Sequence, residues 1–134
     1  MELKKVISSV SGEINTNNFQ SKIIWRNGEF LMDEPINIGG DDSAPDPYST
    51  LLAALAGCTL ATIKLYSKRK NWTFDKINIK VNLYTEENNE TVIEREIYFS
   101  DDLSDFQRER LLFIAKKCPV SKILENNLII NTTI

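Results

Sequence analysis

The sequence predicts a mixed α+β domain built on antiparallel strands. Three observations point there. An Asn-Gly pair sits between two apolar-rich runs, a long apolar segment opens on Asp46-Pro47, and residues 77–84 alternate cleanly between apolar and polar before an Asn-Asn turn and a second strand-like run. The expected order is strands, helix, two strands, helix and a last strand, which is the pattern of an α+β fold.

Residues 2–32 read as extended chain, with Gln20–Trp25 and Glu29–Met32 flanking the turn Arg26-Asn27-Gly28. Residues 33–45 carry Pro35, Gly39, Gly40, Asp41, Asp42, Ser43 and Pro45 and read as a loop. Asp46 suits an N-cap and Pro47 the first helical position, so a helix is expected from about Tyr48 to Lys70. Its first half, Leu51 to Cys58, has no polar face and calls for burial on most sides, while Lys64, Lys68, Arg69 and Lys70 complement the dipole at its end.

Ile77, Ile79, Val81 and Leu83 give the strand 77–84 an apolar face, and Ile93, Ile97 and Phe99 do the same for 91–100. Arg95 falls on that inner face, where a snorkelling arginine at a strand edge is the ordinary reading. Ser104 and Gln107 form a capping box for a second helix from Asp105 to about Lys117. Pro119 stops it and can start a short turn over Val120–Leu124, and 127–133 reads as a final strand.

The 134 residues fit one domain, 1–134, with an ordinary globular balance of 42% hydrophobic and 26% charged residues. The net charge of -3 offers no basic excess for a nucleic acid. The lysines near the N-terminus are not followed by an apolar signal segment, and the longest apolar run, Leu51–Ala56, is short of a membrane span. A cytoplasmic protein with no membrane partner is therefore expected, its cysteines held as thiols. The apolar helix is more than one small chain covers easily, so a homodimer is expected as well.

The chain has no histidine, which removes the usual general base and the usual zinc ligand. Its two cysteines, Cys58 and Cys118, lie 60 residues apart and form no C-x-x-C motif. Cys58, inside an apolar helix, can be packing or chemistry. Burial there would raise its pKa, so a working Cys58 needs help from elsewhere in the fold. Cys118, between a helix end and Pro119, can sit at the N-cap of the next turn, where free N–H groups favour a thiolate.

Taken together, Asp33-Glu34-Pro35, Gly39-Gly40 and Pro45-Asp46-Pro47, leading into Leu51-Leu52-Ala53-Ala54-Leu55-Ala56-Gly57-Cys58-Thr59, and then Cys118-Pro119-Val120-Ser121, resemble the OsmC/Ohr family of thiol-dependent hydroperoxide reductases, in its divergent OsmC-like branch. The resemblance runs from about Ile24 to the C-terminus. It implies antiparallel sheets wrapped around long central helices in an intertwined dimer. It implies a peroxidase of peroxiredoxin type in which Cys58 forms a sulfenic acid with an organic hydroperoxide, and Cys118 resolves it to a disulfide. It implies a dithiol reductant and neither metal nor cofactor.

Two features of the family pattern differ here. The glutamate usual just inside the cysteine helix is replaced by Tyr48-Ser49-Thr50, and the only arginine upstream of that helix is Arg26. Lys22 and Arg95 are the other candidate cations. The alternative function is a non-catalytic module of the same fold that binds a small hydrophobic ligand, with Cys58 as pocket lining.

Overall fold

The computed structural model describes residues 5–134, so residues 2–4 of the expected extended segment lie outside the described residues. The chain divides into two compact units, one reaching Thr50 and the other spanning Leu51–Ile134.

The first unit is a three-stranded antiparallel meander of β1 (Ser11–Ile14), β2 (Ser21–Trp25) and β3 (Gly28–Met32). Trp25 already pairs with Gly28, so the hairpin turns on Arg26-Asn27 and Gly28 belongs to the strand. Lys22 on β2 lies 3.6 Å from the Glu13 carboxylate and 3.9 Å from that of Glu29. The loop after β3 is ordered by a buried carboxylate. Asp33 accepts hydrogen bonds from the Glu34 N–H at 2.8 Å, the Ser43 N–H at 3.1 Å and the Ser43 hydroxyl at 2.6 Å. These bonds, the Ser43 hydroxyl foremost, hold its pKa below the ordinary carboxylate value. Within the loop Ile36–Ile38 forms one 3₁₀ turn, closed by Gly39 in the left-handed region at φ 116°. A Cβ at Gly40 would overlap the Glu34 carbonyl group.

Helix α1 (Pro47–Arg69) starts as its residues suggest. Asp46 accepts from the Ser49 N–H and hydroxyl, and Pro47 occupies the first turn without a wasted donor. Its buried residues Leu55, Thr59, Ile63 and Ser67 recur every fourth position and form one stripe. By length and composition the helix would suffice to cross a membrane, a test that core helices also pass. The expectation of burial on most sides is not met within this chain. Leu51, Ala54, Ala61 and Leu65 form a second, exposed apolar stripe, because the unit's other elements cover only one side.

In the second unit, β4 (Ile77–Thr85) and β5 (Thr91–Phe99) form an antiparallel ribbon in the register Ile77 with Phe99, Ile79 with Ile97 and Val81 with Arg95. Asn89, at φ 66°, makes the turn between them. Helix α2 (Asp105–Ala115) carries the complete Ser104–Gln107 capping box, and α3 (Pro119–Glu125) follows with proline in its first turn. Ile63, Phe74, Leu111 and Ala115 form the buried core, with Tyr66, Trp72, Ile77, Ile97, Phe99 and Leu103 packed around it.

The expected final strand is absent: 127–134 takes no regular structure. Leu128, Ile129 and Ile130 are 59%, 81% and 80% exposed. A strand-prone segment becomes a strand only where a neighbour pairs with its backbone, and no neighbour among the described residues does so.

Candidate functional site

Cys58 is half-buried on α1, at the border between the two stripes. Helical spacing aligns it with Ala54 and Ala61, so one side of its thiol looks along the exposed apolar stripe. The other side meets α3.

Cys118 is 0% exposed. It joins α2 to α3 as a tight corner: its N–H donates to the Ala115 carbonyl at 3.3 Å, and its own carbonyl accepts from the Lys122 N–H at 3.2 Å. It occupies the N-cap position of α3 without a regular side-chain capping bond, yet the Ser121 N–H lies close enough to its sulfur to favour the thiolate. The Val120 N–H, one residue earlier, acts in the same sense on Cys58. Pro119 opens α3 and supplies no N–H of its own, so the first free donors of α3 are these two.

The fold thus brings the two thiols near enough for each to act on the other's acidity. Their acidities diverge. Burial pushes Cys58 up, and its bond to Cys118 pushes it further, against the weaker help of the Val120 N–H and the Thr62 hydroxyl. Burial also pushes Cys118 up, but bonds from Cys58, from the N–H and hydroxyl of Ser121 and from the Thr59 hydroxyl outweigh it and bring Cys118 down to about 7. The pair therefore releases its first proton from Cys118 and retains the second on Cys58.

Arg95 is the residue that strand alternation left as a snorkelling side chain. It instead turns inward. Its Nη1 donates to Thr59 Oγ1 at 2.8 Å and to Ser121 Oγ at 2.7 Å. Both acceptors are buried, at 0% and 3% exposure, and both touch Cys118. The signal available in the sequence was a lone arginine on the apolar face of a strand, together with a hydroxyl residue one position after Cys58 and another three after Cys118. Lys22 is engaged by Glu13 and Glu29, and Arg26 stacks over Trp25 at 5.4 Å. The described residues hold no group of three His, Cys, Asp or Glu side chains able to share a metal ion.

Two cavities adjoin Arg95. One, of about 310 Å³, is walled chiefly by Ile63, Ile97, Phe99, Leu103 and Leu111. The other, of about 260 Å³, lies among Leu55, Ile93, Ser121, Leu124 and Glu125. Cys58 lines neither of them.

Residues 40–133 match the family model described as OsmC-like protein. Solved structures agree. A protein of Psychrobacter arcticus, provisionally described as an osmotic stress induced and detoxification response protein, is 21% identical with a TM-score of 0.73, over 90% of this chain and 89% of that one. An OsmC-like protein of Mycoplasma pneumoniae is 22% identical with a TM-score of 0.68, over 93% and 89%. The organic hydroperoxide resistance protein OhrB of Bacillus subtilis is 20% identical with a TM-score of 0.60, over 92% and 93%. At these identities the likeness establishes the fold. A search of curated proteins finds no match.

Proposed function

The chain belongs to the OsmC-like protein family, and from that premise we propose that it reduces organic hydroperoxides with Cys58 and Cys118. The observation that supports this reading is proximity: two cysteines 60 residues apart in sequence lie near enough to act on each other's acidity, beside an open apolar stripe. The name of the Bacillus subtilis neighbour, an organic hydroperoxide resistance protein, supports the substrate class.

Above about pH 7 the pair carries one proton, held by Cys58, and one charge, held by Cys118. Cys118 then serves as the base that the missing glutamate and the usual arginine would otherwise assist. It takes the Cys58 proton while Cys58 attacks the terminal oxygen of the hydroperoxide. The S–O bond forms, the O–O bond breaks, and the departing alkoxide recovers the proton from Cys118 and leaves as the alcohol. The restored Cys118 thiolate attacks the Cys58 sulfenic acid, closing the S–S bond and expelling hydroxide, which solvent protonates. Two electrons leave the thiol pair and two enter the peroxide. A dithiol reductant reopens the disulfide by exchange. The same reading makes the protein a homodimer of the cytoplasm, where such reductants are maintained.

Anaerobic titration of both thiols before and after one equivalent of cumene hydroperoxide tests it. Loss of both thiols, much faster than free cysteine reacts, is expected. Reaction at the rate of free cysteine would overturn the peroxidase reading in favour of the ligand-binding module.

A further inference from the structure

We propose that Arg95 is a positioning residue for Cys118: by donating to the hydroxyls of Thr59 and Ser121 it fixes both beside the thiol, aims the Ser121 proton at the sulfur and so holds the thiolate that closes the disulfide. This rests on the peroxidase reading above for its role in turnover, but the arrangement and its test do not.

The argument is one of hydrogen-bond inventory. A hydroxyl has a single proton to give. Arg95 Nη1 donates to both oxygens, at 2.8 and 2.7 Å, so each hydroxyl must send its own proton elsewhere. Thr59 sends its proton to the Leu55 carbonyl, 2.7 Å away. Among the described residues Ser121 makes no other side-chain hydrogen bond and lies near enough to Cys118 to lower its pKa, so the sulfur is the acceptor left for its proton. A cation behind the hydroxyl polarises it and strengthens what it gives to an anion, the more so in a buried site.

Charge balance points the same way. Arg95 reaches into buried surroundings, and the ion pairs among the described residues are those of Lys22 with Glu13 and Glu29. Glu125 lines the same cavity as Arg95 and makes no ion pair with it. A half-buried guanidinium without a carboxylate calls for another anion nearby. The titratable groups set against Cys118 are Cys58 from α1 and, through the two hydroxyls, Arg95 from β5. The thiolate one hydroxyl away completes the pair.

The experiment uses the full chain with Cys58→Ser, leaving Cys118 as the only thiol, and follows thiolate ultraviolet absorbance against pH. Arg95→Met should raise the Cys118 midpoint by about 1–2 pH units. Arg95→Lys should recover part of that shift. Ser121→Ala should also raise the midpoint, and by more than Thr59→Val, because Thr59 has another acceptor. Ser121→Ala removes only a hydroxyl and so remains decisive should Arg95→Met not fold. An unchanged midpoint in folded Arg95→Met, or in Ser121→Ala, overturns the proposal. No peroxide enters this titration, so its outcome is separate from that of the peroxidase reading: a shift with no peroxide turnover would leave Arg95 in place and remove the enzyme.

Discussion

A buried thiol ordinarily resists ionisation, so a Cys118 thiolate draws on hydrogen bonds that the unfolded chain lacks. Stability must then depend on pH. The folded value of Cys118 is about 7 against an ordinary 9.0, so between those limits the unfolded state binds more protons. The contribution is present in full above the unfolded value and is lost as pH falls through the folded one. Urea unfolding of the reduced wild-type protein should therefore show stability rising from about pH 7 to pH 9, and Cys118→Ser should flatten that rise. Hydroperoxide consumption should climb through the same lower limit, since below it the pair carries no charge. The role of each cysteine was legible as a possibility in its local sequence. Their meeting was not, because it depends on how α1 packs against the corner between α2 and α3. Arg95 was harder still: its two acceptors lie 36 and 26 residues away, and alternation along β5 says which face a side chain takes but nothing of what waits there.

The elements whose signals are local matched their sequence most closely. The capping box from Ser104 to Gln107 is present with both of its bonds at 3.1 Å. Ser104→Ala should cost about 1 kcal/mol of stability in urea titration; a cost near zero would mean that α2 is held by packing alone. Ile63, wholly buried in the core, should be dearer, with Ile63→Ala costing about 2–5 kcal/mol. The Asp46-Pro47 start of α1 and the ribbon of β4 and β5 were readable for the same reason: caps, prolines and alternation act within a few residues. The segment 127–133 was misread because β-propensity describes a willingness to pair and cannot supply the partner.

At the scale of the molecule, apolar surface is left open on α1 at Leu51, Ala54, Ala61 and Leu65, and again at Leu128, Ile129 and Ile130. Exposed apolar surface gathered on one helix face is a place where a partner chain can seat. A homodimer at micromolar concentration is the expected result of sedimentation equilibrium, with Ala61→Arg shifting it toward monomer; a wild-type monomer would contradict this. Cys58 borders the α1 stripe, so a second copy seated there would also shelter the thiol from bulk water while an alkyl peroxide entered along apolar walls.

The most direct measurement of the chemistry is dimedone trapping followed by mass spectrometry on the two single-cysteine proteins. Cys118→Ser treated with cumene hydroperoxide should carry the dimedone adduct on Cys58, formed more slowly than wild-type protein closes its disulfide, because the neighbouring base is gone. Cys58→Ser should consume no peroxide above the rate of free cysteine. An adduct on Cys118 instead, or peroxide consumption by Cys58→Ser at the wild-type rate, would contradict the assignment of Cys58 as the residue that meets the peroxide.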